Sequence, residues 1–230
     1  MKKPFTTEQF FTVFEKYNSE VFPSQLIIFL LTLIILFSLH SRNSFKDKAI
    51  GFYLAFLWFW TGIVYHIAFF TTINKAAFIF GGISVIQGAL ILISTFSKDR
   101  LTFSFNSGTK TYFGYFFILF ALVIYPLVSY LSERIFIRTI TLGLPCPSTI
   151  LTFGFFMLTH DRFPKFLLII PSLWAIVGLS AAINFGIYQD FMLIIAAVTS
   201  NLFLLRRKPD LFKASELKEK YGSTGTTSRS

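Results

Sequence analysis

Residues 76–97 read AAFIFGGISVIQGALILISTFS. No charged side chain interrupts this run. As an α-helix it extends ~33 Å at 1.5 Å per residue, enough to cross a hydrocarbon layer about 30 Å thick. The pattern recurs at 21–41, 49–74, 111–132, 139–159, 166–189 and 191–205, each without an Asp, Glu, Lys or Arg. The run at 21–41 reaches span length only with Pro23 to Gln25 at the interface, and the last run is completed by Tyr188, Gln189 and Asp190. The expectation is an all-α polytopic membrane protein of seven transmembrane helices. Little polar sequence separates the runs, so residues 1–205 form one transmembrane domain. Residues 206–230 form a basic, flexible cytoplasmic tail ending in Gly, Ser and Thr.

Composition agrees. The chain is 54% hydrophobic, 19% aromatic and 14% charged, against about a quarter charged in soluble domains. The formal charge of +10 raises nucleic acid as a partner. Its distribution argues against that and for a lipid bilayer. Of the 21 basic residues, 15 fall on one side of the predicted membrane: Arg42, Lys46, Lys48, Lys98, Arg100, Lys110, Arg162, Lys165 and the tail. Lys and Arg mark the cytoplasmic side. The expected orientation is N-terminus outside and C-terminus inside, in a cell (inner) membrane. Lys2 and Lys3 are followed by Glu8, Glu15, Lys16 and Glu20, not by the apolar core of a cleavable signal peptide. With one cysteine, Cys146, no intrachain disulfide forms.

Two segments break the monotony. Residues 6–20 predict a short amphipathic helix on the outer surface. Thr6 and Gln9 have capping-box spacing, and Phe10, Val13, Phe14 and Tyr17 share a face. Such a helix lies at headgroup level or covers a cavity. The fifth run opens Gly143-Leu144-Pro145-Cys146-Pro147, and two prolines around one residue disfavour regular helix. The segment is expected either to start the helix at the interface or to enter the membrane as non-helical backbone. The latter is tolerated only where protein or a water-filled cavity surrounds it. Gly178, Ala182 and Gly186, like Gly81, Ser84 and Gly88, have the four-residue spacing of helix-packing seams.

Polar side chains within the runs are the candidate site, because intramembrane polar groups are costly. His66, Tyr65, Asn74 and Cys146 fall toward the outer ends of their runs, Asn184 and Asp190 bracket the outer connection between the last two runs, and Gln87 lies mid-run. Trp60 and Trp174 stand deeper, as walls. Together they describe an outward-facing polar pocket for a small solute or ion. His66, Cys146 and Asp190 offer an imidazole, a thiolate and a carboxylate, a three-ligand set for zinc or copper. Each residue also has a structural reading: His66 and Gln87 as interhelical hydrogen-bonders, Asn74, Asn184 and Asp190 as helix caps. The last run has no Lys for a retinal Schiff base. No HExxH, Gly-Lys-Ser/Thr phosphate loop or cysteine pair occurs. A bis-histidine haem is disfavoured, because His40 and His160 lie at the side opposite His66.

Several elements carry a family resemblance: Pro4-Phe5-Thr6 with Glu8-Gln9-Phe10, Tyr17-Asn18, Pro23-Ser24-Gln25, Leu57-Trp58-Phe59-Trp60 with Gly62, and Val64-Tyr65-His66. Phe69-Phe70, Ile73-Asn74, Gly143-Leu144-Pro145-Cys146-Pro147 with Thr149-Ile150, and Ser180-Ala181-Ala182 with Asp190 complete the set. The chain resembles, to about Leu205, the bacterial integral-membrane proteins grouped as domain-of-unknown-function family 6064. The resemblance implies a polytopic membrane protein and adds no mechanism. Three function classes stay open. They are, in order, a transporter- or channel-like protein handling a small solute, an accessory or sensor subunit of a membrane complex, and a membrane-embedded metalloenzyme.

Overall fold

The computed structural model describes residues 5–41, 43, 45–97, 101–104, 107–159 and 163–205. The tail, His160 and much of the basic loop sequence (Arg42, Lys98, Arg100, Arg162) lie outside them. The described residues are helical, with no strand beyond two isolated bridges.

The capping box at Thr6 is formed: Gln9 N–H donates to Thr6 Oγ1 at 3.1 Å and Thr6 N–H to Gln9 Oε1 at 2.8 Å. It starts α1, Thr7–Glu20. Pro23, lacking an N–H, stands at the corner before α2, Ser24–Ser38, and the two helices meet at 78°. Helix α3, Phe45–Trp60, continues as π-helix through Thr61–Phe69 and a short turn to Thr72. Helix α4 spans Ala77–Phe96. Helix α5, Thr109–Leu119, passes through the π-turn Phe120–Ile124 into α6, Tyr125–Glu133. Then come α7, Pro145–Met157, α8, Ile169–Phe185, and α9, Phe191–Leu205.

Among the described residues, the seven apolar runs yield five helices long and apolar enough to cross a membrane: Phe45–Thr72, Ala77–Phe96, Thr109–Glu133, Lys165–Phe185 and Tyr188–Leu205. The bent pair α1 and α2 raises this to six if it counts as one span. The run at 21–41 gives only α2, 15 residues, or ~22 Å. The run at 139–159 gives α7, 13 residues, or ~20 Å. Every α7 residue except Cys146 is buried. Its surroundings are α3, α5, α8, α9 and the two π segments, so it is the apolar centre of the bundle. The outward faces of the other helices carry exposed Leu, Ile, Val and Phe, among them Ile34, Phe56, Ile79, Ile93, Ile176 and Leu202, the surface a bilayer covers.

The expectation of non-helical backbone at Pro-Cys-Pro is corrected. Pro145 and Pro147 occupy the first turn of α7, where a proline N–H has no helical partner to lose. The irregular backbone lies just before, at 139–144, with Gly143 at φ 94°. There Gly143 packs under Tyr17 Oη and Trp60 Nε1, and a Cβ would stand 2.8 and 3.1 Å from them. Trp60 Nε1 donates to Tyr17 Oη at 2.7 Å. Of the two small-residue seams, Gly81 meets the Gly62 carbonyl and Gly178 meets Leu193, both too close for a side chain. Gly186 instead ends α8 in left-handed conformation, with open space beside it.

Polar ties close each end of the bundle. At one, Arg138 holds α1 through Glu15 Oε1 at 2.5 Å and Glu8 Oε1 at 2.6 Å. Asn18 Nδ2 donates to the Ile137 and Thr139 carbonyls. At the other, buried Asp47 accepts from Phe103 N–H at 2.9 Å, and Lys110 Nζ donates to the Thr159 carbonyl at 2.6 Å.

Candidate functional site

A cavity of about 370 Å³ lies beneath α1. Phe5, Phe10 and Phe14 close it from that side. Its walls come from the π segment of α3, the start of α4, Tyr125, residues 140–146, α8 and Asp190. Helix α1 therefore does more than rest at a surface: Phe10, Phe11, Val13, Phe14 and Tyr17 are all buried against the bundle. Its clasp is electrostatic, and the hydrogen bonds that Arg138 donates to Glu8 and Glu15 hold its guanidinium above its ordinary range.

Seven of the nine residues singled out from the sequence line this cavity: Tyr65, His66, Asn74, Cys146, Trp174, Asn184 and Asp190. Chain separations of up to 125 residues converge because helix termini meet at the α1 end. The other two sit elsewhere. Trp60 is taken up by Tyr17. Gln87 is wholly buried and donates to the Leu167 carbonyl at 3.0 Å, tying α4 to the start of α8's helical stretch.

His66 is fully buried, and neither ring nitrogen has a hydrogen-bond partner. Its neighbours are rings. Trp174 lies at 5.0 Å between centroids, Tyr65 at 5.2 Å and Phe80 at 5.9 Å, all near edge-to-face. Trp174 Nε1 has only the Cys146 sulfur beside it. Buried polar atoms are satisfied in the great majority of cases, so an unpartnered imidazole on a cavity wall is informative.

Asp190 does not act as the cap of α9. Its carboxylate accepts from Tyr125 Oη, and the Cys146 thiol also lies against it. It is 1% exposed, and among the described residues no basic side chain pairs with it. Asn74 Oδ1 accepts from Ala76 N–H at 3.1 Å, at the start of α4. Asn184 Nδ2 donates to the Ser180 carbonyl one turn back, at 2.8 Å.

The described residues do not bring the zinc or copper set together. Cys146 and Asp190 are neighbours, but His66 turns its ring into the aromatic cluster. Among the described residues no three His, Cys, Asp or Glu side chains are placed to hold one metal ion.

Tyr125 escaped the sequence reading. It was one tyrosine in an apolar run, and only the fold brings it to Asp190. A local signal was present in Pro126, which follows it. A proline in a helix removes one N–H and crowds the carbonyl four residues back. The backbone answers with the π-turn Phe120–Ile124, in which Tyr125 N–H bonds the Phe120 carbonyl five residues back. The longer π segment, Thr61–Phe69, carries Tyr65 and His66. Both interruptions of regular helix thus deliver side chains to one cavity, in keeping with the frequency of π-turns at functional sites.

The model of a family of unknown function, DUF6064, matches residues 7–214. The chain belongs to that family. No curated protein and no solved structure gives a significant match.

Proposed function

We propose that this DUF6064 member is a multi-pass membrane protein that binds a small, mainly apolar solute in the cavity beneath α1, as the recognition step of a transporter- or channel-like activity. In this reading the N-terminus and α1 lie outside, and the basic residues gathered in the opposite loops and tail support it. One observation carries the reading: His66 is fully buried at the wall of a 370 Å³ cavity with both nitrogens unpartnered. A structural histidine would have found an acceptor or donor, because leaving one unmade costs about 1–3 kcal/mol. A ligand supplies the missing partner. The volume lies within the range of about 300–1,000 Å³ common to small-molecule sites, and a few polar groups in an apolar wall match their usual chemistry.

The test is a solute titration of protein in lipid nanodiscs, read by tryptophan fluorescence, since Trp174 lines the cavity. Wild type is compared with Ala181→Phe, which places a ring in the cavity. A saturable response in wild type, lost in Ala181→Phe, is expected, with matching solute flux in proteoliposomes. A response that survives Ala181→Phe would refute this site. For orientation, a cysteine at Ser107 in a Cys146→Ser background should react with an impermeant maleimide only after cells are opened. Labelling of intact cells would reverse the topology.

A further inference from the structure

We infer that the occupant of the α1 cavity is a small organic cation, an amine carried on an apolar body, with its charged end at Asp190. This rests on the reading of the cavity as a solute site. Among the described residues the cavity wall has no Lys or Arg, and its one carboxylate is Asp190. That carboxylate is 1% exposed and has only the neutral partners Tyr125 and Cys146. A buried carboxyl group either meets an opposite charge or holds a proton, and a cationic ligand stabilises the ionised form by supplying that charge. Here the protein supplies no match among its described residues. The rest of the wall has the complementary chemistry. Nine aromatic rings line it, besides His66, and Trp174 stands between His66 and the Cys146–Asp190 corner. Aromatic faces attract cations, Trp most strongly, and more so out of water. An anion would meet Asp190 and the negative ring faces with no positive group among the described lining residues to offset them. A neutral solute would leave Asp190 unmatched.

The experiment uses three probes of one shape on the full chain in nanodiscs: 2-phenylethylammonium, its neutral isostere propylbenzene, and the anion 3-phenylpropionate. Wild type, Asp190→Asn and Ala181→Phe are titrated at neutral pH, each first shown to be monodisperse. The expected result is at least tenfold tighter binding of the ammonium than of propylbenzene, and no saturable binding of the anion. That preference should fall below about threefold in Asp190→Asn. The comparison among probes on wild type stands even if Asp190→Asn does not fold. If ammonium and propylbenzene bind equally and both are blocked by Ala181→Phe, the cation inference is overturned while the cavity remains a solute site. Tighter binding of 3-phenylpropionate overturns it in the same way. If Ala181→Phe alters binding of none of them, the cavity reading fails as well.

Discussion

Replacing His66 by Phe should stabilise the fold while abolishing solute recognition, and that combination separates a binding group from a structural one. Neutral imidazole has one donor and one acceptor nitrogen, and in this chain both are unmatched. Each unmade buried hydrogen bond costs about 1–3 kcal/mol. In membranes the effective cost lies at the low end, since polar pairs average about 0.6 kcal/mol there. Phe removes both polar atoms and keeps an aromatic ring beside Trp174 and Phe80, at 5.0 and 5.9 Å between centroids. The extra ring atom has the cavity to enter. The net expectation is a gain of about 1–3 kcal/mol, roughly 5- to 150-fold in the folded-to-unfolded ratio. Reversible unfolding in mixed micelles, followed by circular dichroism against denaturant, measures it through the midpoint at constant slope. The same variant in the nanodisc titration should lose at least tenfold in solute affinity. A destabilisation of 1 kcal/mol or more would refute the reasoning, because it would mean His66 makes a hydrogen bond that holds the bundle together.

Gly143→Ala should cost about 2–3 kcal/mol, from the strained positive φ and from a Cβ pressed against Tyr17 and Trp60; a change under 0.5 kcal/mol in the same unfolding assay would contradict it. Arg138→Ala releases Glu8 and Glu15. Global stability should fall by about 1 kcal/mol or less, as for exposed ion pairs, while amide exchange over Thr7–Glu20 accelerates; unchanged exchange there would show that the aromatic face alone retains α1. Thr152→Val removes the acceptor of Trp58 Nε1, a buried bond of 3.1 Å, and should destabilise by about 1–3 kcal/mol. A neutral outcome would mean that Trp58 finds another acceptor.

Much of the site was legible because burying polarity in an apolar run needs a reason, whatever the fold. His66, Cys146, Asn184 and Asp190 stand out against runs with almost no other candidates. Roles were less legible than positions. Asp190 reads as a helix cap because it precedes α9, yet its partners come from Tyr125, 65 residues away, and Cys146. Gln87 and Trp60 look like cavity residues by type, but contacts with Leu167 and Tyr17 take them away. The metal set was not legible for a related reason: three ligands on three helices require the axial rotation of each helix, and hydropathy carries no rotation.

What the sequence determined by itself is that this chain is helical and apolar enough to live in a bilayer, that α1 begins at the Thr6 capping box, and that a few polar side chains would need explaining. These follow from local sums over a run or from contacts three residues apart. What only the tertiary structure decided is which runs face lipid and which face protein. Residues 139–159 are as apolar as the spanning runs, yet α7 is short and enclosed by its neighbours on all sides. Lipid tails and packed side chains are equally good surroundings for an apolar helix, so composition cannot tell them apart. The difference lies in long-range packing, which also turns α1 over the cavity and brings Tyr125, Cys146 and Asp190 together.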